Sequence, residues 1–387
     1  MGRLGRPLRF VRMLDSLERM GGLERQALKI CSRLPDYGYE VHVITPGKAG
    51  DAARGLLDDR VILHEMGYDP KRRLNVGSYL RGYWLLRRLK PDVFMGSLGA
   101  NYRGRPAAIL AGVPVILSDS GSIRPTASLS VRLRDKLFAG RTDAFICLSK
   151  GVAEAEKKRI GRDDIRVEVV CNNIDIEETR RAAQKPAGAR HEIGAADDTV
   201  VFIAVGRLVW EKAFDILLEA WALLGVEPQQ ARLVIVGDGP LAEDLRSRAR
   251  DLDLTDTAHF LGWRENVPSL IKEADALVMS SISEGGPSTL LEAAALGVPC
   301  VSSNPQGSNV MLHTADGKTS LVVEAGSAEQ LAQAMKKMLD MTPAERQAMG
   351  ARAYDHVASY FAYGGPYENV AQIDRICRDI LAAKGRL

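Results

Sequence analysis

Apolar runs of strand length alternate with segments of helical period along nearly all of the 387-residue chain, which restricts it to parallel sheets with helices on both faces. In the first half the predicted strands are Leu8–Leu14, Glu40–Thr45, Asp92–Met95, Pro114–Leu117, Ala144–Leu148 and Arg166–Cys171. In the second half they are Thr199–Val205, Arg232–Val236, Ala258–Leu261, Ala276–Met279, Pro299–Ser302 and Thr319–Val323. Each set suffices for one doubly wound domain, and the chain is too long for one ordinary core. The expected architecture is therefore α/β, with two Rossmann-like domains and a cleft between them. Residues 1–175 make the first domain, 176–198 a polar linker with a helix, and 199–354 the second domain; 355–387 form a helical segment crossing back to the first.

Charge divides the chain more sharply than its net value of +3 suggests. Through Asp175 there are 31 Lys and Arg against 20 Asp and Glu; the remainder has 21 against 29. A basic first half suits an anionic surface or a phosphorylated substrate. It carries no RNA-recognition motif or zinc-finger spacing, so nucleic acid is not an expected partner. Neither a signal segment nor an apolar span is predicted, and cytoplasmic residence is expected, with peripheral attachment to the inner face of the cell membrane as an extension of it. Cys31, Cys147, Cys171, Cys300 and Cys377 are widely separated, which suggests neither a zinc site nor a disulfide framework.

The chemistry concentrates at the ends of two strands in the second half. After Ala276–Met279 comes Ser283-Glu284-Gly285-Gly286-Pro287-Ser288-Thr289-Leu290-Leu291-Glu292-Ala293. Gly285 and Gly286 open a loop for close approach, while Pro287 and Ser288 suit a helix start whose free amides receive phosphate. Glu284 in the loop and Glu292 one turn into the helix can accept hydrogen bonds from sugar diols. For Glu292 alone, an acid favoured by the helix dipole is an equal reading. After Thr199–Val205 comes Gly206-Arg207-Leu208-Val209-Trp210-Glu211-Lys212, which places two cations at the carboxyl edge of the sheet. They can hold a diphosphate, or else form solvated ion pairs with Glu211 or Asp215.

Taken in order, Gly206-Arg207-Leu208 with Lys212, Val236-Gly237-Asp238-Gly239-Pro240, Leu261-Gly262, and Glu284 with Glu292-Ala293 and Gly297-Val298-Pro299 resemble the retaining glycosyltransferases of family four, which have the GT-B fold. Gly21-Gly22-Leu23-Glu24-Arg25 is similar to the family's N-terminal glycine loop. The resemblance implies a nucleotide-sugar donor, UDP- or GDP-linked, with no cofactor and no metal. It implies that Gly22 lies against the donor phosphates, that Arg207 and Lys212 grip the diphosphate, that Glu284 contacts the transferred sugar and that Glu292 binds the ribose. The base would stack near Gly262–Arg264, with Trp263 either its partner or an ordinary surface tryptophan. Asp119, in Leu117-Ser118-Asp119-Ser120-Gly121-Ser122, stands where the family contacts the reacting sugar or acceptor; a turn or cap residue is the other reading. Three departures stand out: Ala213 and Gly286 replace a usual glycine and a common aromatic, and Val310 falls where an acid often follows Gly307.

In such an enzyme the leaving diphosphate takes the acceptor's proton, so no strong side-chain nucleophile is needed. Asp251-Leu252-Asp253 follows a charged helix and reads as a loop, not as a metal motif. Gly77–Leu89, preceded by Lys71-Arg72-Arg73, mixes aromatic residues and leucines with arginines: either a helix for an anionic lipid interface or a core-facing helix with a solvated basic face. Lipid docking would suit a glycan or polyprenyl-diphosphate-linked acceptor in bacterial surface polysaccharide or glycolipid synthesis. Competing readings are a UDP-sugar 2-epimerase and a non-catalytic sugar-nucleotide-binding protein.

Overall fold

The computed structural model describes residues 6–18, 20–67, 76–121, 135–305, 317–366 and 368–387. They divide into two compact units, one of Met1–Asn172 with Glu368–Leu387, the other of Asn173–Tyr367. The alternation of apolar runs is realised as two wholly parallel sheets, one in each.

The first unit contains β1 (Leu8–Met13), β2 (Tyr39–Thr45), β3 (Ile62–Glu65), β4 (Val93–Ser97), β5 (Val115–Ser120), β6 (Ala144–Cys147) and β7 (Val167–Val169) in the order β3-β2-β1-β4-β5-β6-β7. The central strands β1, β4, β5 and β6 are buried along almost their whole length, as a sheet covered on both faces requires. Edge strand β3 was not anticipated, because its four residues are only half covered and show no continuous apolar run. Helix Gly22–Arg33 follows β1 and buries Ala27, Leu28 and Cys31, one stripe at helical spacing. The chain's last helix, Asn369–Ala383, packs in this unit: Arg378 Nη2 donates to Tyr37 O at 2.8 Å and Lys384 Nζ to Pro114 O at 2.7 Å.

The second unit orders β8 (Val200–Val205), β9 (Ala231–Val236), β10 (Ala258–Gly262), β11 (Ala276–Met279), β12 (Cys300–Ser303) and β13 (Leu321–Val323) as β10-β9-β8-β11-β12-β13. Its core gathers Phe202, Leu217, Trp221, Leu233, Ile235 and Met335. The buried Trp221 indole donates to Thr257 Oγ1 at 3.0 Å, so its one polar atom is satisfied. The stretch read as a linker folds onto this unit, where the Glu273 carboxylate accepts the backbone N–H groups of Ala187, Gly188 and Ala189 at 2.5–3.0 Å. Helix Pro343–Tyr360, which includes the start of the segment expected to cross back, also belongs here.

In each sheet the strand order reverses once, between β1 and β4 and between β8 and β11. Open α/β sheets bind ligands outside the carboxyl ends of their strands at such reversals. Arg207 and Lys212 follow β8 and Glu284 follows β11 there, whereas Gly262 and Trp263 stand at the end of edge strand β10. All five cysteines are free thiols, and burial pushes Cys31 and Cys300 up to about 12, which keeps both unreactive.

Candidate active site

Backbone packed on backbone builds the edge of the second sheet. Gly206 N donates to Val236 O at 3.0 Å and Gly237 N to Gly262 O at 2.8 Å, joining the turns after β8, β9 and β10. Gly237 has φ +144°, and a Cβ there would stand 1.8 Å from Gly206 O; one on Gly239 would stand 2.4 Å from Leu208 O. The glycines of Val236-Gly237-Asp238-Gly239-Pro240 are therefore required by the neighbouring turn. Leu208 is buried as the plug of this layer, leaving Arg207 exposed and without an ion pair among the described residues.

The turn Trp210–Lys212 is tied to the loop after β11. Ile282 N and Ser283 N donate to Glu211 O at 2.9 and 3.3 Å, and Ser280 Oγ donates to Lys212 O at 2.8 Å. The Lys212 ammonium forms an ion pair with the Glu284 carboxylate, which also accepts from Ser281 Oγ at 2.7 Å. Lys212 thus pairs across the two loops and not with Glu211 or Asp215, the partners its local sequence offered. Ala213 is buried in the left-handed region at φ 47°, ψ 48°, the conformation for which glycine is the usual residue. A β-carbon there costs about 1–2 kcal/mol, which the fold tolerates.

Gly285 and Pro287 are buried and Gly286 is partly covered; neither glycine has positive φ, so left-handed freedom is not what the pair supplies. Pro287 caps helix Ser288–Ala295, and Ser288, Thr289 and Glu292 lie half-covered on its outer side while Leu290, Leu291 and Ala293 are buried. Arg180 Nε donates to Ala295 O at 3.2 Å, supporting the far end of the helix. Gly262 turns at φ +68° and delivers Trp263 to the surface, 60% exposed. The structure therefore brings Arg207, Lys212, Glu284 and the start of the Glu292 helix to one sheet edge, with Trp263 on the turn after β10.

Gly22 and Asp119 belong to the first unit. Gly22 is exposed at the start of helix Gly22–Arg33, where the Glu24 carboxylate accepts from Gly21 N at 3.0 Å. Asp119 is neither a turn nor a cap residue: it lies within β5, opposite Ser97 of β4. Its buried carboxylate pairs with the Arg12 guanidinium and accepts from Ser97 Oγ at 3.1 Å, while Arg12 Nη2 donates to Ser97 Oγ at 2.7 Å. Arg12 is the feature the sequence did not single out, an arginine inside an apolar strand whose partner stands 107 residues away. Val310, Gly307 and Lys71–Arg73 lie outside the described residues.

Residues 188–356 match the family described as Glycosyl transferases group 1, and residues 20–178 the one described as Glycosyltransferase Family 4. The UDP-Gal:alpha-D-GlcNAc-diphosphoundecaprenol alpha-1,3-galactosyltransferase of Escherichia coli is 30% identical over 310 residues, covering 76% of this chain and 79% of that protein. The lipopolysaccharide core biosynthesis glycosyltransferase LpsE of Rhizobium meliloti is 27% identical over 328 residues, covering 82% and 86%. Among solved structures, Anabaena HepE in complex with UDP and glucose aligns with a TM-score of 0.77 at 19% identity, covering 97% of this chain and all of that one. WaaG, a glycosyltransferase involved in lipopolysaccharide biosynthesis, aligns with a TM-score of 0.73 at 19% identity, covering 95% and 99%. At such identity these likenesses establish the fold, two parallel-sheet Rossmann-like units of the GT-B class.

Proposed function

Because the chain belongs to Glycosyltransferase Family 4 and is a glycosyltransferase, we propose that it moves a sugar from UDP to a lipid-linked glycan acceptor, with retention of configuration and without a metal. The observation that carries this reading is the Lys212–Glu284 ion pair at the carboxyl edge of β8 and β11, with Arg207 exposed on the turn after β8. In the reaction, Lys212 and Arg207 take the diphosphate and stabilise the charge that grows on it as the glycosidic bond breaks. The start of helix Ser288–Ala295 adds amide donors to the same oxygens. Glu284 holds hydroxyls of the transferred sugar, Glu292 the ribose diol, and Trp263 and Gly262 the face of the base. As the bond from the anomeric carbon to the diphosphate breaks, the acceptor oxygen bonds to that carbon on the same face, and the departing phosphate oxygen takes the acceptor's proton there. Two cations and a helix terminus offset the diphosphate charge, which supports a metal-free mechanism. UDP is favoured by the names of the E. coli relative and of the complex of HepE with UDP and glucose.

A panel of nucleotide sugars tests the donor. Ligand at one hundred times its Kd stabilises the native state by about 2.7 kcal/mol, so a UDP-sugar is expected to raise the melting temperature and GDP-sugars to leave it unchanged. Transfer is expected to persist in EDTA; abolition by EDTA with recovery on added manganese would refute the metal-free reading. Incubation of the donor alone is expected to yield no epimer, the outcome that separates transfer from isomerisation.

Helix Val76–Leu89 supports a reading of acceptor and location. Tyr83, Leu85, Leu86 and Leu89 pack into the first unit's core, whereas Leu80 and Trp84, 54% and 65% exposed, share the outer stripe with Arg81, Arg87 and Arg88. Large apolar side chains interleaved with cations suit an anionic lipid interface better than water. No helix among the described residues is long and apolar enough to cross a membrane, so attachment would be peripheral, at the face where a lipid-linked acceptor is presented. Binding to vesicles containing anionic lipid is expected at low salt. Replacing Arg87 and Arg88 together by alanine should weaken it roughly thirty-fold, at about 1 kcal/mol for each cation near the surface. Wild-type protein that ignores such vesicles would remove this part of the proposal.

A further inference from the structure

Ser280 and Ser281 stand side by side where β11 ends, and their hydroxyls serve different partners. Ser280 Oγ donates to the main-chain oxygen of Lys212 at 2.8 Å, and Ser281 Oγ to Glu284 Oε1 at 2.7 Å. Ser281 is itself held from the neighbouring strand, its carbonyl accepting from Ser303 Oγ at 2.6 Å. All three serines are buried, Ser281 to 1% exposure. A buried hydroxyl is unfavourable unless it is bonded, and alanine would fill the same space without that demand. Three hydroxyls in a core position, each spent on the backbone or carboxylate of the two site loops, therefore point to alignment of the site and not to packing alone.

We propose that Ser281, backed by Ser303, is a positioning residue that fixes the Glu284 carboxylate for the transferred sugar, while Ser280 fixes the base of Lys212. This rests on the reading that Glu284 and Lys212 act on the donor. In the free protein the ammonium of Lys212 also restrains Glu284. Once a diphosphate draws Lys212 away, the Ser281 hydroxyl is the bond that keeps one carboxylate oxygen turned inward and leaves the other for a sugar hydroxyl. Ser281 touches no substrate in this scheme; it acts through Glu284.

The experiment is a double-mutant cycle on the full chain, with kcat and KM for the nucleotide sugar and thermal melting for each variant. Ser281→Ala is expected to lower kcat roughly tenfold, the scale of a lost hydrogen bond to a charged group, with KM changed less than about twofold and the melting temperature nearly unchanged. Ser281→Thr, which keeps the hydroxyl, should recover most of the rate. In a Glu284→Ala background the Ser281→Ala change should cost nothing further, because the oxygen it orients is gone. Full activity in Ser281→Ala beside a crippled Glu284→Ala overturns the positioning role and spares the donor reading. Full activity in Glu284→Ala overturns the donor reading itself. Additive losses in the double variant mean a structural role and also overturn the proposal. Where Ser281→Ala does not fold, Ser303→Ala removes the outer link of the same chain and is read by the same criteria.

Discussion

Replacing Lys212 by methionine cuts transfer about 10²–10³-fold, the scale for one preorganised charge at a developing oxyanion, and leaves the melting temperature nearly unchanged. Methionine keeps the apolar stem, which lies against Gly206: a Cβ on that glycine would meet Lys212 Cε, Cδ and Cγ at 3.4–3.6 Å. What is lost is the ammonium and with it the ion pair to Glu284. The Lys212 and Glu284 side chains are 25% and 11% exposed, so the pair stands between exposed ion pairs, which contribute at most about 1 kcal/mol, and fully buried ones. Glu284 retains the Ser281 hydroxyl as a partner, so no carboxylate is stranded without a bond. The loss should fall mainly on kcat, since the charge of the leaving diphosphate exceeds that of the bound donor. Steady-state kinetics with a UDP-sugar, paired with thermal melting, checks both halves. A variant with near wild-type kcat would remove Lys212 from the chemistry, and one that melted far lower would make it a structural residue.

The reach of the sequence can be judged from where its signals are local. Twelve strands were legible because continuous Val, Ile, Leu and Phe runs are what a sheet covered on both faces demands. Strand β3 was not, because an edge strand with half-exposed Ile62 and Leu63 gives a weak pattern. Glu284 and Lys212 could be placed because each lies a few residues beyond a legible strand end, but that they pair with each other is a fact of loop packing across 72 residues. Their serine supports were overlooked for the same reason: nothing in the run after β11 marks Ser280 and Ser281, whose partners Lys212 O and Glu284 Oε1 are set by the same loop packing. The Gly237 turn was recognised by its resemblance, and only the closeness of Gly206 O gives it a cause. Asp119 shows the opposite case. Its position suggested a contact to the reacting sugar or acceptor, or else a turn or cap residue, yet strand register sets it beside Ser97 and within reach of Arg12, an environment that no spacing in the sequence announces.

Replacing Asp135 by alanine destabilises the protein by about 3–5 kcal/mol, the range for removing one partner from a buried charge network. Asp135 is 2% exposed and accepts from Arg105 Nη2 at 2.7 Å, and Arg105 is itself 1% exposed. Arg159 pairs with the other oxygen of Asp135 and also with Glu156, to which Nε donates at 2.9 Å. Two cations and two anions alternate and cancel. Burial pulls the Arg105 guanidinium below its usual value, and the Asp135 carboxylate opposes that effect. Without Asp135, Arg159 still has Glu156, while among the described residues Arg105 keeps a 3.5 Å contact to Thr142 Oγ1, the Phe138 ring at 5.8 Å and the more distant charge of Glu156. A positive charge would then be held in the interior with almost nothing to replace its water. Such a network adds little over a well-packed apolar cluster of the same volume, so the prediction concerns its removal by halves and not its presence. Denaturant unfolding should show the full loss for Asp135→Ala and a smaller one for Asp135→Asn, which keeps an oxygen for Arg105. Arg105 lies on helix Leu98–Ala111 after β4 and Arg159 on helix Lys150–Ile160 after β6, so the network ties together the helices that follow the two strands on either side of β5, the strand of Asp119. Activity at low temperature, where both variants are folded, should therefore remain close to that of the wild type; a loss of rate without a loss of stability would mean that these charges reach the site itself.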